Sequence, residues 1–290
     1  MEKNKKERLI KNKLSVPIKS LSLDKDELRK LCNILQERSE SAAEIERSEY
    51  PKNEADPKKY EKDIGLLKEA FKIKVTIVGS DGKQLYGYID EVFDSPNFPD
   101  NVKSFHVNSE AILRTVYNWY PKNSFDLFLD FSKPTVFNFN LMPSYETPNQ
   151  SILNVHGYDA TWPNGVFQEI NEFINKKSSF FSKVHKHSIY DILLWFLGFP
   201  LAFRVAFLFS STIEKILGDM NAFVKNAAYF YVFIAALLVF RIIFHYLRWV
   251  CPLVEYRSKR NNIIVHRIFI GTIITSILVR IILDIWKIIF

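Results

Sequence analysis

The chain has 290 residues, is 48% hydrophobic and 24% charged, and carries a formal net charge of +7, values that taken alone would suit an ordinary soluble protein. Position decides otherwise, because residues 1–187 are polar and charge-rich whereas 188–290 are dominated by Phe, Ile, Leu, Val and Ala with few, widely spaced charges. The two cysteines, Cys32 and Cys251, exclude a disulfide framework and a CxxC site, and no apolar stretch follows the first lysines as a cleaved signal peptide would require.

Residues 1–20 read as a basic N-terminal arm, suited to solvent or to an anionic surface. Residues 21–72 read as a helical segment. Asp24 and Glu27 have the spacing of a capping box, and Leu28, Leu31, Cys32 and Leu35 recur at helical intervals. The continuation ERSESAAEIERSEY has few large apolar residues and is expected to be a solvated extension or a self-association segment. Pro51 ends this helix, and a second is expected from Pro57 through Tyr60, Ile64, Leu67 and Phe71.

Residues 73–178 read as an α+β cytoplasmic domain. Ile73, Val75 and Ile77 alternate with polar residues and run into Asp81-Gly82, the signature of a hairpin. The same GSDGK stretch lacks the spacing of a phosphate-binding loop. Further strands are expected at Lys103–Val107, Leu113–Tyr120, Phe125–Phe131 and Ile152–Val155, with a turn at Pro121-Lys122-Asn123 making the second and third antiparallel neighbours. A Pro- and Asn-rich loop spans 132–150, long enough to suggest a binding or regulatory surface. Val166, Ile170 and Phe173 mark a closing amphipathic helix.

No enzyme constellation emerges. His156 and Asp159 are neighbours in HGYD but have no nucleophile setting around them. Asp126 and Asp130 are expected on the solvated face of an alternating strand. Tyr117, Trp119, Tyr120 and Trp162 are read as core or sheet packing in preference to an aromatic platform. No catalytic residue, cofactor or metal is therefore assigned.

Residues 188–290 read as a transmembrane domain with spans at about 189–209, 227–250 and 264–290. Gly198 and Pro200 should kink the first. The linker between the first two has an apolar face of Ile213, Ile216, Leu217, Met220, Phe223 and Val224, expected as one interfacial helix. Intramembrane charges stand at Arg204 and Arg241. In the last segment Thr272, Ser276, Arg280, Asp284 and Lys287 follow spacings of four, four, four and three and so share one face. That stripe must meet protein, water or headgroups, although an intrahelical pair of Arg280 with Asp284 would also make it tolerable. His185, His187, His245 and His266 gather near one interface without metal-type spacing.

Lys176, Lys177, Lys183 and Lys186 precede the first span, and Arg248, Arg257, Lys259, Arg260 and Arg267 surround the second loop, whereas the opposite linker is charge-balanced. The positive-inside rule then puts the soluble domain in the cytoplasm and the C-terminus outside, in a multi-pass inner-membrane protein. The whole reads as an α+β cytoplasmic domain with N-terminal helices, an antiparallel sheet and a C-terminal helix, followed by three helical spans. The expected function is non-enzymatic: the domain binds a protein or small-molecule ligand and the spans form a homo-oligomer that alters membrane permeability. The alternative is a membrane-anchored scaffold. Clustering of lysines in a tail and beside the bilayer weighs against nucleic acid as a partner. By architecture alone, the arrangement is similar to membrane-acting effectors of bacterial immune systems, in which a soluble part senses a signal and the spans oligomerise or permeabilise.

Overall fold

In the computed structural model, which describes residues 11–49, 57–137, 146–258 and 263–289, the chain forms two compact units. The first draws on residues 1–132, 149–180 and 253–259, and the second on 133–148, 181–252 and 260–290.

The first unit is a mixed α+β body with the expected antiparallel sheet. Its strands are β1 (Asn12–Pro17), β3 (Lys74–Gly79), β4 (Gln84–Tyr88), β5 (Val102–Asn108), β6 (Ser124–Asp130) and β7 (Ile152–Gly157), arranged β1-β7-β6-β5-β3-β4. Period-two alternation sends one set of side chains inward, and the register lines them up in rows. Ile77 lies opposite Phe105 and Phe105 opposite Leu129, while Val107 lies opposite Leu127 and Leu127 opposite Leu153. All six are at most 1% exposed, and full burial of each such side chain stabilises by about 1.5–3 kcal/mol. The β3–β4 turn falls on Asp81-Gly82, where Gly82 takes φ of 83°, a left-handed conformation that a Cβ would strain.

Helix α1 (Lys25–Glu49) starts on the capping box, with Asp24 Oδ1 accepting the Glu27 amide at 2.9 Å and Glu27 Oε2 accepting the Asp24 amide at 3.0 Å. Leu28, Leu31, Cys32 and Leu35 are fully buried. The second half of α1 differs from both expectations for it, because Ser39, Ala42, Ala43 and Glu46 are buried in the unit. Small side chains let this stretch approach its neighbours closely, and its polar groups are satisfied there. Ser39 Oγ donates to the Phe71 carbonyl at 2.6 Å, and Glu46 accepts the Lys122 amide at 2.6 Å. The remaining helices of this unit are α2 (Pro57–Ala70), α3 (Ile89–Phe93), α4 (Ala111–Tyr117) and α5 (Thr161–Lys176).

Three further features of this unit depart from the sequence reading. Residues 12–17, placed in the basic arm, form edge strand β1, because Leu14 and Val16 alternate with polar residues and pair with Val155 and Leu153. The stretch expected as a strand at Leu113–Tyr120 is instead α4, closed by Asn118 at φ of 50°. The neighbours β5 and β6 are therefore linked through a helix, and no strand turns at Pro121-Lys122-Asn123. Third, β2 (Leu21–Leu23) pairs in parallel with β8 (Val254–Tyr256), a segment from the loop between the second and third apolar stretches.

The second unit contains a 3-10 turn (Phe180–His185), α6 (His187–Leu193), a π turn (Leu194–Gly198), α7 (Phe199–Leu208), α8 (Ser210–Leu217), α9 (Ala222–Val250) and α10 (Ile263–Ile289). Two stretches, Ser188–Leu208 and Ala222–Val250, are long and apolar enough to cross a membrane, and only 11% of each apolar window is buried. The first is interrupted by its π turn just before Pro200, which has no amide to donate. The linker expected as one interfacial helix is split: α8 ends at Leu217, and Phe223 and Val224 belong to α9, whose start is capped by Asn221 accepting the Val224 amide at 3.0 Å. Helix α10 continues to Ile289, and its shorter apolar part, Ile263–Ile273, is 11 residues long.

Glu27 joins three chain segments of the first unit. It caps α1, accepts from Lys177 at 2.7 Å just beyond α5, and accepts from Arg257 at 2.5 Å just beyond β8. Burial alone would raise its carboxyl pKa, but the hydrogen bonds from Lys177 and Arg257 outweigh it and hold the value at about 2. The folded-state pKa thus lies below the ordinary 4.5, so this stabilisation is complete above that pH and is lost as pH falls towards 2. Glu27→Gln is expected to cost about 1–2 kcal/mol near neutrality after solvent screening is allowed for. Urea unfolding followed by near-UV circular dichroism should show that loss, and a flatter dependence on pH in the acid range.

Candidate functional site

The polar and charged positions singled out in the apolar half are described only in part. Of the predicted stripe, the side chains of Thr272 and Ser276 are described, whereas those of Arg280, Asp284 and Lys287 lie outside the described residues. Thr272 Oγ1 donates to the Ile268 carbonyl at 2.9 Å and Ser276 Oγ to the Thr272 carbonyl at 2.8 Å. Both hydroxyls are satisfied on their own helix and need no partner across an interface. Arg204 is exposed on α7, four residues before the end of that helix. Arg241, by contrast, is 4% exposed.

Arg241 belongs to a polar seam that the sequence shows only in part. Along α9, Arg241, Phe244, His245 and Arg248 recur at i, i+3, i+4 and i+7 and are all buried. Opposite them lie Val184, His185 and Tyr190 of the second unit. Arg248, 1% exposed, donates to the carbonyls of Val184 at 3.3 Å and His185 at 3.4 Å, and its guanidinium lies 4.8 Å from the Phe244 ring centre. The Arg241 guanidinium sits 5.6 Å from the centre of the Tyr190 ring, which itself meets Phe244 edge-on at 4.9 Å. His245 is 6% exposed, and its Nε2 has no hydrogen-bond partner among the described residues.

His185 links this seam to the loop that follows β6. Its Nε2 donates to the Cys251 carbonyl, which fixes the tautomer and leaves the neutral ring's Nδ1 to accept from the Thr147 hydroxyl at 2.8 Å. Burial lowers the His185 pKa and the nearby Arg248 lowers it further, against the opposing effect of the Cys251 hydrogen bond. Close by, Tyr246 stacks on Trp249 at 6.0 Å, the Tyr246 hydroxyl lies 2.7 Å from His266 Nδ1, and Arg267 donates twice to the Val250 carbonyl at 3.1 and 3.2 Å. These contacts tie the end of α9 to the start of α10 and satisfy a terminal carbonyl. Among the described residues no group of three or more His, Cys, Asp or Glu is arranged to hold a metal ion.

In the first unit the carboxylates noted in the sequence have structural tasks. Asp126, half-buried, faces His106 Nε2 at 2.8 Å and Asn108 at 3.2 Å. Burial would raise its pKa, but the hydrogen bond and charge of His106 bring it below the ordinary carboxylate value. Asp130 closes the foot of the long loop by accepting the amides of Ser132 at 3.0 Å and Gln150 at 3.4 Å. Asp159 accepts the Thr161 amide at 3.1 Å at the start of α5. Trp162 is buried, but Tyr117 and Tyr120 are 41% and 69% exposed, so the expected burial of that aromatic set holds for only part of it. Tyr117 instead lines a groove of about 200 Å3 between α2 and α4, with Asp63, Ile64, Leu67, Leu113 and Trp119.

Helix packing in the second unit depends on small residues that hydropathy alone does not reveal. Gly198 and Ala202 are buried one turn apart, and a Cβ on Gly198 would lie 3.0 Å from Leu194 and 3.1 Å from Phe240 of α9. Gly198→Val is expected to destabilise the protein by about 1–3 kcal/mol, whereas Gly271→Val, which meets nothing within 4 Å, should change stability much less. Thermal unfolding of the full chain in detergent distinguishes the two.

No protein-family model matches the chain, and no curated protein or solved structure matches it.

Proposed function

We propose that the chain is a non-enzymatic integral membrane protein whose α+β unit binds a cytoplasmic protein or small-molecule ligand and whose helices self-assemble in the bilayer, with altered permeability as the output. The observation that carries the reading is the pair of apolar stretches Ser188–Leu208 and Ala222–Val250, whose side chains are mostly exposed. At 1.5 Å per residue the first is about 31 Å long, close to the hydrocarbon thickness of a bilayer. Phe196, Phe203, Phe207 and Phe230 are 63–76% exposed, which is costly in water and favourable in lipid.

Chain path supports the orientation. The segment Leu253–Lys259 belongs to the first unit although it lies between α9 and α10, which favours a path that brings the chain after α9 back to the side from which the first apolar stretch departs. The first apolar stretch starts at Ser188, eight residues after Phe180, where the chain leaves that unit. Two crossings by Ser188–Leu208 and Ala222–Val250 meet both conditions. The Lys and Arg excess on that side is what an inner membrane with a cytoplasmic first unit would require. A third crossing by α10 would put the C-terminus outside.

Conduction would run along the face bearing Thr272, Ser276, Arg280, Asp284 and Lys287, exposed to a shared lumen when ligand binding shifts the assembly between two arrangements. The scaffold alternative has its own support, since Thr272 and Ser276 are satisfied within α10. Reconstituting the full chain into liposomes separates the two readings. For a conducting assembly, Arg280→Leu and Asp284→Leu should insert normally and reduce ion leakage at least tenfold. Normal insertion with unchanged leakage makes the stripe structural, and absence of leakage from the wild-type protein with and without cell extract favours the scaffold.

A further inference from the structure

We infer that the free edge of β4 pairs with the same edge of a second copy of this chain, joining the two sheets antiparallel about a two-fold axis at Leu85. The inference rests on the proposed self-assembly in the bilayer, which it deepens by naming the surface through which the first units meet.

The edges of the six-stranded sheet are β1 and β4, and they are built differently. β1 ends on Pro17 and carries exposed Lys13, with exposed Lys11 just before it. Proline and lysine on an edge keep it from pairing with another chain. β4, with the sequence QLYGY, has neither proline nor charge. Among the described residues no strand lies beyond it.

The direction of its backbone groups follows from the ladder with β3. The Gly79 amide donates to the Lys83 carbonyl at 2.8 Å. Hydrogen-bonded pairs alternate along an antiparallel ladder, so Ile77 with Leu85 and Val75 with Gly87 are the next such pairs. The amides and carbonyls of Gln84 and Tyr86 therefore point away from β3. So does the Tyr88 amide, which Glu91 Oε2 accepts at 2.9 Å. With that donor taken, Gln84 and Tyr86 are the residues of β4 whose outward amide and carbonyl both suit a new ladder. About a two-fold axis each exchanges two bonds with the other: Gln84 with Tyr86 of the second copy, and Tyr86 with Gln84 of the second copy.

This register makes the second copy the fitting occupant. Leu85 falls at the axis, opposite Leu85 of the second copy in the closer, non-hydrogen-bonded site, where Cα atoms lie about 4.5 Å apart. Leu85 is half-buried, shares a sheet face with the fully buried Ile77 and packs against the core, so the pairing covers apolar surface and extends each core to the axis. Lys83 comes opposite Gly87 of the second copy, and like charges are not brought together. Strands so short hold little by themselves. Helices confined to one bilayer supply the high effective concentration that the pairing needs.

The test is oxidative cross-linking of the full chain in native membranes, on a background of Cys32→Ala and Cys251→Ser. Leu85→Cys stands opposite itself across the axis and should form an interchain disulfide about tenfold faster than Lys13→Cys on the other edge, because only the first has a partner within disulfide reach. Adding Tyr86→Pro, which removes an amide that β3 does not use, should bring the rate down to the Lys13→Cys level. Tyr86→Glu changes a side chain already 61% exposed and sets like charges on either side of the axis, so it should slow the reaction even where the proline variant does not fold. Equal rates for Leu85→Cys and Lys13→Cys overturn the interface, as does a fast rate that folded Tyr86→Pro or Tyr86→Glu chains retain. Self-assembly is read separately, from the size of the wild-type chain in detergent. An oligomer that does not cross-link at Leu85 keeps the assembly reading and overturns this interface. A chain that cross-links at Leu85 yet is released from membranes by carbonate supports the interface and contradicts the membrane reading.

Discussion

The parallel pairing of β2 with β8 is the constraint on which the architecture depends. Leu21 donates its amide to the Leu253 carbonyl at 3.1 Å and Arg257 donates to the Leu23 carbonyl at 2.7 Å, so a three-residue segment that follows α9 becomes part of the first unit. Two short strands hold little stability by themselves. Their position is fixed by burial, since Leu21, Leu23 and Val254 are fully buried, and by Glu27, which gathers Lys177 and Arg257 around the start of α1. The loop between the two longest apolar helices is thereby a structural element of the first unit.

This changes how the chain can be divided. A boundary near residue 187 separates polar from apolar sequence, yet the first unit needs Leu253–Lys259 and the second takes in residues 133–148. An isolated fragment ending before the apolar half would lack β8, leaving the β2 edge unpaired and the Glu27 carboxylate without Arg257. The second unit has a comparable internal economy of polar groups. Arg248 meets backbone carbonyls, Arg267 completes the end of α9, and the hydroxyls of α10 turn back on their own helix. Polar atoms in an apolar environment are retained where they have partners, and His245 Nε2 is one of the few buried side-chain atoms without one among the described residues.

Local signals were legible and distant ones were not. The capping box of α1, the Asp81-Gly82 hairpin, the alternation of β6 and the apolar runs of α6 to α9 are each written within a few residues. The strand expected at Leu113–Tyr120 gave too much weight to β-branched and aromatic composition. Its pairs Ile112 with Val116 and Leu113 with Tyr117 are spaced as on a helix, and Asn118 supplies the left-handed cap. In β1 the alternation of Leu14 and Val16 was present but was masked by the surrounding lysines. The three residues of β8 could not be read, because so short a strand is specified by a partner more than 230 positions away. The α9 seam was half legible: Arg241 and His245 were visible as oddities in an apolar run, but their common burial with Arg248 depends on Tyr190 and the carbonyls of the turn before α6.

The most direct measurement of this account is oxidative cross-linking of the Ser22→Cys, Glu255→Cys double variant in native membranes, on a background with Cys32→Ala and Cys251→Ser. Ser22 and Glu255 are register partners in the β2–β8 pair, so the account predicts an intrachain disulfide that forms rapidly under mild oxidant and shifts the mobility of the unreduced chain. A membrane-inserted, folded chain in which these two cysteines do not cross-link would contradict the claim that the loop after α9 is built into the first unit.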